Sequence, residues 1–265
     1  MAEKQNKPII IEAHDLWKAY GDLQVLTGLN IAVEEGETVV ILGRSGVGKS
    51  VLLRQILGIE FPDKGYVKVH NKIISKLSQK ERDKETKRMG MLFQGAALFD
   101  SMNVAENTAF YLRQHESYLS EKEIQDRVDE ALEMVNLAGT QEKMPSDLSG
   151  GMKKRAAIAR LIVYRPKIVL YDEPTTGLDP ITATQINKLI NKTQEDLEAT
   201  SIVVTHDVKS ALEIGDRLAF HYDGKIAHIA TKEDFLHIDD PILKQFLENS
   251  TITEETKSGH NKRSH

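Results

Sequence analysis

Four short apolar runs punctuate this chain: Val39-Val40-Ile41-Leu42, Met89-Gly90-Met91-Leu92-Phe93, Ile168-Val169-Leu170-Tyr171 and Ser201-Ile202-Val203-Val204-Thr205. Runs this short and this apolar fit strands buried on both faces, as in parallel sheets. The segments between them carry helical periodicity. Val51 to Leu57 reads as a helix ending at Gly58, and Asn103 to Asn136 carries helical signals, clearest at the capping box Ser120-Glu121-Lys122-Glu123. Ile124, Val128, Ala131, Leu132 and Val135 then form one apolar stripe. Ile9 to about Val33 reads as an antiparallel region with a turn near Gly21-Asp22, and Gly65 to Ile74 supplies further strand. Asp223-Gly224 predicts a hairpin between 217–222 and 225–230. A short helix starts at Thr231, and another runs from Pro241 through about Leu247. From Asn249 onward no apolar periodicity survives, and a mobile, passive tail is expected.

The first apolar run leads into Gly43-Arg44-Ser45-Gly46-Val47-Gly48-Lys49-Ser50, a phosphate-loop pattern in strand-loop-helix context. Its backbone amides, aided by the positive end of the helix that opens at Val51, would cradle the α- and β-phosphates of a nucleotide. Lys49 would reach the β- and γ-phosphates, and the Ser50 hydroxyl would bind magnesium. The third run ends in Asp172-Glu173, two carboxylates at the carboxyl end of a buried strand, where ligands sit in open parallel sheets. Asp172 would hold magnesium, directly or through water, and Glu173 would orient or deprotonate the attacking water. Leu148-Ser149-Gly150-Gly151-Met152 lies roughly a hundred residues beyond the phosphate loop, and Ser149 can cap a helix expected from about Met152 to Tyr164.

Together these residues resemble the nucleotide-binding subunit of an ABC transporter, from about Ile9 to about Lys225. The resemblance implies a P-loop ATPase of α/β class: a RecA-like parallel-sheet core, an antiparallel β subdomain and an inserted helical subdomain at about 95–150. A single ATP-binding domain over 1–248 and a flexible polar tail over 249–265 are expected. Carried over residue by residue, the resemblance makes Tyr20 the aromatic that stacks on adenine, Gln94 the Q-loop glutamine beside magnesium or the attacking water, Leu178 and Asp179 the D-loop, and His206 the switch histidine on the γ-phosphate. For Tyr20 the competing reading is ordinary strand packing. Ser149, Gly150, Gly151 and Met152 would face ATP held by Lys49 of a second copy, so that two chains close around two ATP molecules. No internal repeat is visible, so the second nucleotide domain must come from another chain.

Position 152 departs from the commonest family pattern, which has glutamine there. LSGGM followed by Lys153-Lys154-Arg155 resembles the ATPases of Mce-associated lipid transporters, the Mla type, as do Gly95 to Val104 after Gln94 and Asp179-Pro180-Ile181-Thr182. The subfamily implies phospholipid transport between inner and outer membranes, with an Mce-domain subunit in the same complex. In this family the segment after the glutamine receives the permease, placing that contact at about Ala96 to Met102; the competing reading is a buried turn. For Lys153 to Arg155 a solvated helix face is the favoured reading. An importer ATPase for another cargo, such as an amino acid, and a regulatory cell-division-type ATPase stay open.

Composition removes other classes. The 265 residues are 40% hydrophobic, enough for a core, and contain no cysteine, which excludes disulfides and thiolate chemistry. No apolar run approaches the ~20 residues of a membrane span, and the first seven residues lack a signal-peptide core, so a chain that stays in the cytosol is expected; the resemblance implies that it is held peripherally at the cytoplasmic face of the inner membrane. A net charge of −5 argues against a nucleic-acid partner. The basic residues of 76–88 are interrupted by acids and read as a solvated helix.

Overall fold

The computed structural model describes residues 7–44 and 46–260. Two sheets share one chain. Strands β1 (Ile9–Tyr20), β2 (Leu23–Glu34), β4 (Lys64–Val69) and β5 (Lys72–Ile73) form an antiparallel sheet in the order β2-β1-β4-β5. Strands β3 (Thr38–Leu42), β6 (Met89–Leu92), β7 (Ile168–Asp172), β8 (Thr200–Thr205), β9 (Arg217–Tyr222) and β10 (Lys225–Thr231) form the second sheet, β10-β9-β3-β8-β7-β6. All neighbours there are parallel except β10, which returns antiparallel to β9 through the Asp223-Gly224 turn. The whole is mixed α/β with a parallel core and an antiparallel subdomain, as the sequence resemblance implies.

The strand period explains the division of the core. Val39 and Ile41 of β3 face one side, with Leu170, Ile202, Val204 and Ala219, and pack against α1 (Lys49–Ile56) and the antiparallel sheet through Leu52, Leu53, Leu16 and Leu29. Val40 and Leu42 face the other side with Val169, Tyr171, Val203 and Phe220. That side is covered by α5 (Gly150–Ile162), α6 (Pro180–Leu197) and α7 (Val208–Ile214). Both faces of the parallel sheet are therefore dry, which is why its strands read as continuous apolar runs.

In β1 the buried residues Ile11 and Ala13 keep the period of two, but the next is Leu16. Asp15, at φ 46°, absorbs the extra residue, and the pairing with β2 shifts register there.

Helix α2 (Gln79–Thr86) is the polar helix expected before β6, started by a Ser78–Glu81 capping box. The helical lobe contains α3 (Val104–His115) and α4 (Glu121–Met134), both entered through complete capping boxes at Asn103 and Ser120. Ile124, Val128, Ala131, Leu132 and Val135 are buried together, and this stripe packs with α5 residues in the same cluster as the sheet. After β10 come α8 (Lys232–Phe235) and α9 (Pro241–His260). Helix α9 continues past Leu247 into the segment read from sequence as a mobile tail; residues 261–265 of that tail lie outside the described residues. Among the described residues no helix is long and apolar enough to cross a membrane.

Candidate functional site

The carboxyl ends of β3, β7 and β8 lie side by side, with Leu42 paired to Thr205 and Asp172 to Val204. This adjacency brings together residues that are far apart in sequence. Gly43 to Gly48 leave the end of β3, Asp172 and Glu173 leave β7, and His206 follows β8. Gly43 runs against β9: a Cβ there would lie 2.7 Å from the His221 carbonyl oxygen. Gly48 starts α1 at φ 97°, in the left-handed region, and a Cβ at that position would lie 2.5 Å from Val25 Cγ1. Glycine is thus required at both points by close approach, and at Gly48 by backbone conformation as well. Ser45, a candidate phosphate contact, lies outside the described residues. Arg44 and Val47 lie in the loop, and Val51 is buried in the first turn of α1.

Lys49 is buried, and its Nζ donates to the carbonyls of Gly43 (2.7 Å) and Arg44 (2.9 Å) and lies 3.4 Å from Glu173 Oε1. The Ser50 hydroxyl donates to Asp172 Oδ1 at 2.9 Å. Glu173 is the centre of the cluster. Its second carboxylate oxygen lies 2.8 Å from His206 Nδ1 and accepts from the Thr176 hydroxyl at 2.9 Å. Its backbone stands at φ 49°, left-handed for a residue with a Cβ, and its N–H donates to the Val204 carbonyl at 2.9 Å. Such a conformation is held only where surrounding contacts over-determine it.

The charges in this cluster push on one another. Burial drives the Glu173 carboxyl upward, but the His206 hydrogen bond and charge, the Lys49 charge and the Thr176 hydroxyl together leave it below the usual carboxylate range. Burial raises Asp172 above its ordinary value, against the opposing Ser50 hydrogen bond. Burial also lowers the Lys49 ammonium, while the hydrogen bond to Glu173 raises His206. The two acids therefore differ: the neighbours of Glu173 hold its carboxyl below the ordinary range, while burial holds Asp172 above it. Asp207, next to His206, caps α7 by accepting from Lys209 N (3.0 Å), Ser210 N (3.2 Å) and Ser210 Oγ (2.6 Å), which fixes the turn that presents the histidine.

Other predicted residues stand apart. Gln94 is exposed at the end of β6, and among the described residues its amide has no hydrogen bond, although its carbonyl does. Tyr20 is exposed at the end of β1 rather than packed, with its hydroxyl donating to Glu60, which also accepts from Arg54 of α1 at 3.2 Å. Ser149 is the N-cap of α5 and accepts from Met152 N at 3.3 Å; the helix begins at Gly150, two residues earlier than its sequence pattern indicates. Ser149 and Gly150 are exposed, with Gly151 and Met152 half-buried behind them. Their neighbours are Leu178 and Thr182: a Cβ on Gly150 would touch Leu178 at 3.6 Å, and one on Gly151 would lie 2.6 Å from Thr182 Cγ2. Asp179 caps α6 through Ile181 N (3.1 Å) and Thr182 N (3.0 Å). Ser149, Gly150 and Asp179 are exposed, with Gly151, Met152, Leu178 and Thr182 half-buried beside them, and among the described residues none of these is hydrogen-bonded to Lys49, Glu173 or His206.

One expectation requires correction. Of Lys153, Lys154 and Arg155, read as a solvated face, Lys154 is 5% exposed and its Nζ donates to the Gln94 and Glu173 carbonyls. Residues 154, 157, 158 and 161 follow the helical i, i+3, i+4, i+7 rule and are all buried, so the phase of α5 carried the signal that a run of like charges obscured. Neither Thr176 nor Glu60 stands out in the sequence: the Thr176 contact spans only three residues but depends on the left-handed turn at Glu173, whereas the Tyr20–Glu60 contact spans forty.

A family profile described as ABC transporter matches residues 26–176. The intermembrane phospholipid transport system ATP-binding protein MlaF of Haemophilus influenzae is 40% identical over 242 residues, covering 91% of each chain. The methionine import ATP-binding protein MetN of Clostridium tetani is 38% identical over 243 residues, covering 92% of this chain and 76% of the relative. Among solved structures, the dimeric post-hydrolysis state of the ATP-binding cassette MJ0796 bound to ADP and Pi matches with a TM-score of 0.77 at 32% identity, covering 84% of this chain and 99% of that one.

Proposed function

Because the chain belongs to the ABC transporter family, as one of its ATP-hydrolysing domains, we propose that it powers phospholipid movement between two membranes through a separate permease. The observation that carries the lipid reading is the similarity to the phospholipid transport ATPase across 91% of both chains. Met152 and the sequence Gly95 to Val104 support it from the residues. The similarity to a methionine import ATPase, nearly as high, favours an amino-acid importer as the second reading.

In the mechanism, ATP enters over the phosphate loop and Lys49 exchanges the carbonyls of Gly43 and Arg44 for phosphate oxygens. Ser50 and Asp172 present adjacent oxygen donors, the hard-ligand set that suits magnesium completed by phosphate oxygens, and would hold it together with Gln94. Bound there, the ion would offset charge on the β- and γ-phosphates. Glu173 orients a water in line with the γ-phosphate and takes its proton as the new oxygen–phosphorus bond forms and the bond to the β-phosphate oxygen breaks. His206, aimed by its bond to Glu173, donates to the γ-phosphate. Tyr20 covers one face of the adenine, with Glu60 holding its hydroxyl.

The exposed Ser149–Gly150 edge completes the site of a second copy, so the working unit is a dimer closed around two ATP molecules. A dimer of this kind fits the dimeric form of the related cassette. Closure drives the permease and hydrolysis resets it. The permease docks at Ala96 to Met102, where Phe93 and Phe99 are 40% exposed and the Ala96 and Ala97 carbonyls are held by Arg160. That docking keeps the chain at the cytoplasmic face of the inner membrane. The complex includes an Mce-domain subunit.

Purification of the intact complex from membranes, with identification of its subunits and bound lipids by mass spectrometry, tests the proposal. An Mce-domain subunit and co-purifying phospholipid are expected. A partner set without a lipid-binding subunit overturns the lipid reading in favour of the importer.

A further inference from the structure

Lys154 is a buried cation that the ATPase mechanism does not use. Among the described residues it has no carboxylate within ion-pair distance, and its ammonium ends on two backbone carbonyls, Gln94 and Glu173, the latter at 3.4 Å. Removing a lysine head group from water without a paired anion is unfavourable, and burial lowers its proton affinity here. A methionine of similar length would fill the same space without that desolvation, so packing alone does not account for the charge.

The three points that Lys154 ties together belong to different elements of the fold. Its Cα lies in the first turns of α5, the helix that Ser149 caps. Gln94 lies two residues beyond β6 and opens the segment that runs to Ala96 and Ala97, both in left-handed conformation at φ 63° and 51°. Glu173 follows β7, also left-handed. The Glu173 main chain is thus held from two sides: its N–H donates to the Val204 carbonyl, and its own carbonyl accepts from the Thr176 N–H at 3.3 Å and from Lys154 at 3.4 Å. Together these contacts aim the carboxylate at Lys49 and His206. A displacement of α5 relative to the sheet changes one of them.

We infer that Lys154 is a positioning residue that transmits the placement of the signature helix to the Glu173 carboxylate and the Gln94 loop, so that hydrolysis proceeds only when α5 is seated. The inference rests on the reading of Glu173 as the group that activates water. Its physical content is a tether: an ammonium on one body holding two carbonyls on another, where backbone strain leaves the carboxylate free to lose its aim.

The test is a double-mutant cycle on the full-length chain, with ATPase kinetics, nucleotide affinity and melting temperature measured for Lys154→Met, Lys154→Arg, Glu173→Gln and Lys154→Met/Glu173→Gln. The expected result is that Lys154→Met lowers kcat at least tenfold, with the KM for ATP, nucleotide affinity and melting temperature within about twofold or a few degrees of the parent. Lys154→Arg, which keeps a donor cation, recovers a substantial part of kcat. In the Glu173→Gln background, Lys154→Met changes the residual rate less than twofold, because its effect passes through Glu173. A kcat within twofold of the parent for Lys154→Met overturns the inference, as does an equal loss in both backgrounds. If Lys154→Met fails to fold, Lys154→Arg and the rate of Lys154→Gln decide: a kcat for both within twofold of the parent overturns it, and a tenfold loss confined to Lys154→Gln supports it. Near-normal turnover by Glu173→Gln defeats the parent reading and this one together, whereas a dead Glu173→Gln beside a normal Lys154→Met defeats this one alone.

Discussion

His221 offers a quantitative handle on the floor of the phosphate loop. Its imidazole is 1% exposed on β9, and neither ring nitrogen has a hydrogen-bond partner among the described residues. Burial, with a smaller contribution from the nearby Lys49 charge, pushes its pKa from 6.5 down to about 4. In the unfolded chain the ring takes a proton below pH 6.5, whereas in the folded chain it does so only below about 4. The folded state therefore loses nothing from this group above pH 6.5 and loses stability steadily as pH falls from there to about 4. At roughly 1.4 kcal/mol per pKa unit the full difference is about 3 kcal/mol, of which about 2.5 kcal/mol is gone by pH 4.5. Leucine has nearly the volume of histidine and no polar atom, so His221→Leu removes the titration and two unsatisfied nitrogens at once. Urea unfolding of parent and variant at intervals from pH 7.5 to 4.5 isolates the effect, because the carboxylates that also titrate in acid cancel in the difference. The variant is expected to match or exceed the parent at pH 7.5 and to gain a further ~2.5 kcal/mol relative to it by pH 4.5. Two curves with constant separation across that range would refute the assignment of a buried, unpartnered, neutral imidazole.

The loop and the helix cap yield two further expectations. Gly48→Ala forces a Cβ to within 2.5 Å of Val25 Cγ1 at φ 97°, and should lower stability by about 1–2 kcal/mol and abolish ATP binding, measured by thermal melting and nucleotide titration. Ser149→Ala removes the acceptor of the Met152 amide, costing about 1 kcal/mol of helix stability; it should leave ATP binding to the isolated chain intact while steady-state hydrolysis falls at least tenfold, and parallel loss of binding and turnover would contradict the two-chain site. Substituting charged residues for Ala97 and Leu98 should preserve ATPase activity of the purified chain and reduce permease-coupled transport; unchanged transport would remove that segment from the permease contact.

Much of this chemistry was legible because it is written in consecutive residues. Gly43 to Ser50 and Asp172-Glu173 each sit at the end of an apolar run, and the sheet order then places the runs side by side. The capping boxes at Asn103 and Ser120 are local as well, although only the second stands out in the sequence. What could not be read depends on distance or on phase. The bulge at Asp15 resets the inward positions of β1 without any glycine or proline to announce it. Tyr20 finds its anchor in Glu60, forty residues on, through contacts between β1 and the segment that follows α1. Lys154 faces inward because of its phase on α5, and the basic residues on either side conceal that. The left-handed backbone of Glu173 has no signature in residue type, since its main chain is bonded both by the nearby Thr176 N–H and by Val204 and Lys154 from other elements.

In the proposed mechanism Glu173→Gln removes the group that takes the proton while retaining Lys49, Ser50 and the capped end of α5, so it should bind ATP and stop with two chains closed together. Sedimentation of this variant with and without ATP tests the shared site most directly. A monomer without nucleotide that becomes a dimer with ATP, and fails to do so when Ser149 is also replaced by a bulky acid, is the predicted result. A variant that binds ATP and remains a monomer, or that turns ATP over at the parent rate, would contradict it.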